Sequence, residues 1–240
     1  MKSVFRVLIM VLTFFYAGTS FGVENMSFGI EKRGFVKTDF VNIKKLCPSI
    51  QVDLIYSHDS NFTKKVVYND CPSDVCYLRY GTAKKLVAVQ EELELQGLGL
   101  KIADGYRPQS VQYTFWELMP DERYVINPHI AGPGKGSKHN RGAAVDLTLI
   151  NLATGQELEM PSVIDDFTEK AHRKYEAMEP VAAHNCRLLE NVMKKHGFKP
   201  FSFEWWHFND ADWREYELCD ISFAELAKNE SLEQPELIQR

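Results

Sequence analysis

The spacing of apolar and polar positions in the middle of the chain predicts a helix followed by a strand. From Thr82 onward, apolar side chains recur at helical intervals until Gly97, with Thr82 suited to cap the start and Gly97 to end the helix. The next residues, Leu98 to Ala103, have the composition of a strand. The motif DGYRP then turns the chain, and Pro108 is suited to the first turn of a helix that runs to about Met119.

The second half of the chain continues this mixture of helices and strands. The motif AAVDLTL, residues 143–149, alternates so that Asp146 lies on a polar face directed out of the core. A helix is predicted from Val181 to His196, closed by Gly197, followed by one aromatic strand over residues 201–208 and a short helix over residues 223–228. Because helices and strands do not alternate as in a parallel sheet, the pattern favours the α+β class.

Composition and charge narrow the possible functions. The 240 residues are 45% hydrophobic, which is enough to bury a sizeable core, and the net charge is -5 without a basic stripe. Nucleic acid is therefore not expected as a partner. We predict one domain over residues 23–210, followed by an acidic extension over residues 211–240, and the composition leaves the oligomeric state open.

The first 22 residues have the layout of a secretory signal peptide. Lys2 and Arg6 precede the apolar run from Val7 to Tyr16, and small residues follow up to Gly22. This run is shorter than the roughly 20 apolar residues of a membrane span. We therefore expect cleavage near Gly22, no membrane span in the mature protein, and a periplasmic or secreted location.

The cysteine content is compatible with export. Disulfides are plausible in an oxidising compartment, and an odd number of cysteines leaves at least one thiol over. Cys71 and Cys76 are close enough to staple one loop, and a bond between Cys186 and Cys219 would tie down the C-terminal tail. The remaining cysteine is Cys47.

Three segments carry polar residues typical of a catalytic metal site: DGYRP, GSKHNRGAAVD and EWWH. Two imidazoles and a carboxylate, from His139, Asp146 and His207, would bind Zn²⁺ and leave a fourth position for water. Gly142 lets the chain bend between His139 and Asp146. The alternative is a hydrogen-bonded histidine and aspartate without a metal.

Glu204 is a candidate general base. The flanking tryptophans lower the local dielectric constant, which raises the pKa of its carboxyl group. In a regular strand Glu204 and His207 face opposite ways, so Glu204 must lie at the strand entrance or on a bulge. Arg107 is a candidate for stabilising an oxyanion; the alternative is a surface ion pair.

In this order, DGYRP, SKHNRGAAVDLTL and EWWHF resemble the zinc D-alanyl-D-alanine dipeptidases, relatives of the D,D-carboxypeptidases. The resemblance covers about residues 53–209 and implies a hedgehog-like peptidase fold with a central, mainly antiparallel sheet flanked by helices. It implies His139, Asp146 and His207 as zinc ligands, Glu204 as general base and Arg107 as the group that stabilises the transition state.

The resemblance also implies three residues that hold the free amino end of a D-Ala-D-Ala substrate: Tyr56, Ser137 and Asp165, with Asp166 as the neighbouring alternative to Asp165. A buried anionic site for an ammonium group favours a free dipeptide over a longer chain. Two alternatives are a murein D,D-carboxypeptidase or endopeptidase and an inactive zinc-bearing binding module.

Overall fold

The structure is a computed structural model that describes residue 36 and residues 39–130, 132 and 134–232. The predicted signal peptide lies outside the described residues. None of the helices in the described part of the chain has both the length and the apolar character that crossing a bilayer requires.

A five-stranded sheet forms the centre of the fold. Its strands lie in the order β2-β4-β5-β7-β6, and every neighbouring pair is antiparallel except β2 and β4. A second sheet pairs β1 with β3. The α+β prediction and the mainly antiparallel sheet are therefore confirmed. The strands are β1 (Phe40–Asn42), β2 (Gln51–Val52), β3 (Tyr77–Arg79), β4 (Leu98–Asp104), β5 (Ala144–Asn151), β6 (Phe198–Phe201) and β7 (Glu204–Asp210).

The long helices lie against this sheet. The second and fourth helices contact each other and the sheet, and their apolar stripes contribute Leu86, Leu93 and Leu189 to the core without any solvent exposure. As predicted, Gly97 and Gly197 follow these two helices with φ of 70° and 87°. The helices are α1 (Ile43–Leu46), α2 (Tyr80–Glu94), α3 (Gln109–Leu118), α4 (Pro180–Lys195) and α5 (Phe223–Leu232).

The predicted cap of α2 is wrong. The helix begins at Tyr80 after Arg79, so Thr82 lies inside its first turn. Thr82 is fully buried, and its hydroxyl donates to Asp210 Oδ2 at 2.7 Å. This bond to the buried carboxylate at the end of β7 explains a polar residue at this position.

The single aromatic strand predicted over residues 201–208 is also wrong, because the chain reverses within it. Phe201 ends β6, and β7 begins at Glu204, so the segment forms a hairpin. The register shifts between Pro200 and Phe201 beside this turn. The aromatic run therefore occupies two strands.

Strand β5 is buried on both faces, contrary to the prediction that its polar face points out of the core. Leu147 and Leu149 are fully buried on one face, and Asp146 and Thr148 are only 4% and 2% exposed on the other. The second face is covered by loops that follow β5. Asp146 therefore lies in a low-dielectric environment.

All five cysteines lie in the described part of the chain, and all five are free thiols. The disulfides considered between Cys71 and Cys76 and between Cys186 and Cys219 are absent. Cys71 Sγ is directed toward the carbonyl oxygen of Val75 at 3.3 Å, and Cys219 Sγ accepts from Arg79 at 2.7 Å. Burial keeps the first of these thiols neutral by raising the pKa of Cys71 to about 12.

Candidate active site

Two strands and one short turn bring His139, Asp146 and His207 together. His139 begins a 3-10 turn that Gly142 ends with φ of 67°, a left-handed conformation that glycine adopts without strain. The chain then enters β5, which carries Asp146. His207 lies opposite Asp146 in the register of β5 and β7, so the two side chains share one face of the sheet.

The potential ligand atoms of these three side chains converge. His207 Nδ1 lies 2.9 Å from Asp146 Oδ1, and His139 Nε2 lies 3.2 Å from His207 Nδ1 and 3.4 Å from Asp146 Oδ2. Ligands held about 2.0–2.1 Å from a tetrahedral Zn²⁺ lie roughly 3.3 Å apart. The spacing therefore suits a small tetrahedral ion.

The remaining ring nitrogens of the two histidines are already hydrogen-bonded. His139 Nδ1 donates to the carbonyl oxygen of Gly105 at 2.7 Å, and His207 Nε2 donates to Asn209 Oδ1 at 3.0 Å. Each bond fixes the tautomer that leaves a lone pair on the inward nitrogen, as second-shell partners of metal-binding histidines do. Two imidazoles and a carboxylate with such support fit zinc.

Glu204 lies at the entrance of β7, as its proposed role requires. It is the first residue of the strand, beside the register shift of the hairpin, and its Oε2 lies 3.7 Å from His207 Nδ1. Burial holds the pKa of Glu204 well above its ordinary value, and the negative charges of Asp146 and Asp165 raise it further. A carboxylate with a raised pKa is a stronger proton acceptor near neutral pH.

Arg107 is 7% exposed, so the surface ion pair considered from the sequence is not what the fold contains. Its Nε and Nη2 donate to Asp104 Oδ2 at 3.2 and 2.6 Å, and its Nη1 donates to Gln112 Oε1 at 3.0 Å. The guanidinium also lies 4.5 Å from the centre of the Phe115 ring. These contacts fix the direction of the positive charge.

Tyr56 and Asp165 form one pair inside the same cavity. The hydroxyl of Tyr56 donates to Asp165 Oδ2 at 3.0 Å. Burial raises the pKa of Asp165 to about 7, with a further contribution from the negative charge of Asp146. Asp166, the neighbouring alternative, does not line this cavity.

Ser137 is 5% exposed, and its Oγ accepts from the backbone N–H of His139 at 3.3 Å. It lines the same cavity as the residues above. The structure thus brings together all eight residues selected from the sequence, and their chemical roles stay predictions.

The cavity that these side chains line has a volume of about 170 Å³. Four aromatic rings close it on the side of Arg107 and Tyr56. A space of this size suits a ligand of two small residues. The rings belong to Phe62, Phe115, Tyr124 and Phe167.

Sequence reasoning missed the residues that orient the selected side chains. Asp104 is fully buried and binds Arg107 three residues later, a spacing visible in the DGYRP motif itself. Asn209 follows His207 by two residues, so strand alternation places it on the same face. Arg173, in contrast, has no local signal: its Nη2 donates to the carbonyl oxygen of His207 at 3.0 Å from a distant loop.

Comparisons with known proteins agree with the resemblance of the motifs. Residues 36–227 match the profile of a family described as D-ala-D-ala dipeptidase. A D-alanyl-D-alanine dipeptidase of Escherichia coli (strain K12) is 33% identical over 187 residues, which cover 78% of this chain and 92% of that protein. One of Enterococcus faecium is 32% identical over 182 residues, covering 70% and 90%.

Two solved structures have a weak likeness to the chain. The LD-carboxypeptidase LdcB is 19% identical, with coverage of 75% of this chain and 71% of that chain and a TM-score of 0.39. The vancomycin resistance D,D-pentapeptidase VanY in complex with Zn(II) is 16% identical, with coverage of 62% and 85% and a TM-score of 0.36. The family match and the sequence relatives carry the assignment: this chain belongs to the D-Ala-D-Ala dipeptidase family of metallopeptidases.

Proposed function

We propose that this protein is a zinc-dependent D,D-dipeptidase that hydrolyses free D-Ala-D-Ala. One observation carries the proposal: a small cavity has a metal-type triad with Glu204 beside it and the half-buried carboxyl group of Asp165 among its lining residues. The first feature suits hydrolysis of a peptide bond, and the second suits a substrate with a free amino group. The family membership supports the same chemistry.

The triad of His139, Asp146 and His207 would hold the metal. Zn²⁺ in such a site supplies Lewis acidity and lowers the pKa of a bound water to about 7. Burial raises the pKa of Asp146, but the adjacent imidazoles of His139 and His207 outweigh it and lower the pKa, so Asp146 is a carboxylate and suited to a cation.

Glu204 moves the proton during hydrolysis. Its carboxylate takes a proton from the attacking water as the oxygen bonds to the peptide carbonyl carbon. The carboxyl group then gives that proton to the leaving nitrogen as the C–N bond breaks. Glu204 therefore ends the cycle as a carboxylate, in the protonation state in which it began.

Arg107 stabilises the oxygen that becomes negative. A guanidinium has five N–H donors, and the bonds to Asp104 and Gln112 use three of them. Two donors remain for the cavity that Arg107 lines. A fixed donor of this type typically contributes about 2.7–4 kcal/mol to lowering the barrier.

Asp165 and Tyr56 would bind the ammonium group of the dipeptide, and Ser137 would contribute a hydroxyl to the same substrate. The carboxylate form of Asp165 pairs with a protonated amine, which an N-acylated peptide lacks. This difference separates a dipeptidase from a D,D-carboxypeptidase that acts on longer peptides.

The test compares zinc-loaded protein on D-Ala-D-Ala and on N-acetyl-D-Ala-D-Ala. We expect hydrolysis of the first and little of the second. Glu204→Gln should keep zinc and lose turnover, whereas Glu176→Gln, a change of an exposed glutamate, should keep both. Preferred hydrolysis of the acetylated peptide would instead assign a carboxypeptidase, and full activity of Glu204→Gln would remove Glu204 from the mechanism.

Export is part of the proposal, so the dipeptide would be hydrolysed outside the inner membrane, in the periplasm or after secretion. The support is the charge and apolar pattern of residues 1–22. N-terminal sequencing of the protein from fractionated cells tests it. A mature protein that starts near residue 23 is expected, and an intact Met1 in the cytoplasm would contradict it.

A further inference from the structure

A second cavity lies on the same face of the central sheet as the catalytic cavity. Its volume is about 560 Å³, within the roughly 300–1,000 Å³ range of small-molecule sites. Lys101, Thr148 and Trp205 contribute to it from three neighbouring strands, and the segment of residues 157–164 covers it. None of the roles proposed above uses this space.

Only a thin partition separates the two cavities. Tyr56 lines the catalytic cavity, and the preceding residue, Ile55, lines the second one. In the same way, Asp165 lines the catalytic cavity, and the preceding residue, Ile164, lines the second one. Since neighbours in sequence face opposite cavities, the wall between them is about one residue thick, and the hydrogen bond between Tyr56 and Asp165 joins its two halves.

Asp165 occupies this wall in a left-handed backbone conformation. Its φ is 63°, and Lys64, at 55°, is the other residue besides glycines with a positive φ in the described part of the chain. This left-handed region is uncommon for residues other than glycine, although aspartate adopts it more readily than most. An uncommon backbone conformation at this half-buried position indicates that its surroundings hold it there.

The second cavity has the lining expected for part of a peptide. Ile55, Leu158 and Met160 provide apolar surface. Thr148 also lines it, and its buried hydroxyl has no hydrogen-bond partner, so it is able to bond a peptide group. At the rim, the ammonium of Lys101 lies between carboxylates of Asp53 and Glu157 at 3.0 and 2.9 Å.

We propose that the second cavity is a latent subsite for residues preceding D-Ala-D-Ala in a longer peptide, and that the side chains of Tyr56 and Asp165 form the partition that closes it off from the catalytic cavity. This inference rests on the proposed function, in which the amino end of the dipeptide points at Asp165. An N-terminal extension would have to pass through the partition, and the space behind it has about three times the volume of the catalytic cavity.

Asp165→Gly tests the partition directly, because glycine adopts a φ of 63° without strain and removes the side chain. On D-Ala-D-Ala, we expect kcat/KM of the zinc-loaded variant to fall by about 10- to 100-fold through loss of a charged hydrogen bond. On N-acetyl-D-Ala-D-Ala, kcat/KM should rise above that of the wild type. Calorimetry in a Glu204→Gln background should show the same gain in binding of the acetylated peptide.

Three further variants separate the possible causes. Asp165→Asn removes the charge and keeps the side-chain volume, so it should weaken D-Ala-D-Ala hydrolysis without the gain. Lys64→Gly makes the same backbone change outside the partition and should change neither substrate. Adding Ala103→Leu to Asp165→Gly fills the second cavity from β4 and should cancel the gain.

Equal behaviour of Asp165→Gly and Asp165→Asn on the acetylated peptide would overturn the partition. A gain that survives Ala103→Leu would overturn the second cavity as the subsite. Asp165→Ala, which retains only Cβ, decides the question in the same way if the glycine variant is unstable. Hydrolysis of D-Ala-D-Ala by the wild type tests the proposed function separately, since it does not depend on any of these variants.

Discussion

Asp104→Asn tests whether Arg107 is held in place by a buried ion pair. Asp104 is fully buried, and its Oδ2 accepts from two nitrogens of Arg107. Removing one partner of a buried pair typically costs about 3–5 kcal/mol, because the other charge stays buried without compensation. The amide oxygen of asparagine still accepts one bond, so we expect a loss near 3 kcal/mol in the free energy of unfolding.

The chain offers a matched control. Arg123 Nη2 lies 2.6 Å from Asp121 Oδ2, the same distance as in the pair of Arg107 and Asp104, but the Arg123 side chain is 65% exposed. Water and salt screen such a pair, and its loss changes stability little. Asp121→Asn should therefore leave the free energy of unfolding nearly unchanged.

Urea denaturation of metal-free protein measures both effects without a contribution from metal binding. With an m-value of about 2–3 kcal/mol per M, the midpoint of Asp104→Asn should fall by about 1–1.5 M. Replacing both charges, as in Asp104→Asn with Arg107→Gln, should cost less than Asp104→Asn alone. Equal losses for Asp104→Asn and Asp121→Asn would refute the argument that burial decides the strength of the pair.

Two further predictions concern pH and backbone conformation. The pKa of Asp165 is raised to about 7, and its carboxylate form binds the ammonium group of the ligand. In calorimetry, the affinity of Glu204→Gln for D-Ala-D-Ala should therefore increase as pH rises through about 7. Asp165→Asn in the same background should show no such increase. Gly142→Ala should lower the free energy of unfolding by about 1–2 kcal/mol or more in urea, because a Cβ at φ of 67° is strained and would meet the Phe40 ring; unchanged stability and zinc affinity would contradict the role of this turn.

The site residues were predicted more accurately from the sequence motifs than the strands that carry these residues were. His139, Asp146 and His207 are recognisable because metal ligands must be particular residue types at particular places in their motifs. The hairpin at residues 202–203 was not predicted, because the segment from Phe201 to Glu204 consists of aromatic and polar residues that a single strand also accepts. Alternation alone could not show that a chain reversal places Glu204 at a strand entrance.

Long-range partners explain the other differences. Thr82 looked like a helix cap, but its bond to Asp210 joins residues 128 positions apart, which local sequence does not reveal. Alternation predicted that Asp146 points out of the core, but the loops that follow β5 cover this side chain. Burial of Arg107 likewise depends on the ring of Phe115 and on Asp104, and only the latter is close in sequence.

The most direct test of the central claim is the zinc content of purified protein measured alongside its hydrolysis of D-Ala-D-Ala. We predict about one zinc per chain, loss of hydrolysis when a chelator removes it, recovery when zinc is restored, and loss of both zinc and hydrolysis in His139→Ala. Full hydrolysis by the metal-free protein, or His139→Ala retaining its zinc, would contradict the claim that His139, Asp146 and His207 form a catalytic zinc site.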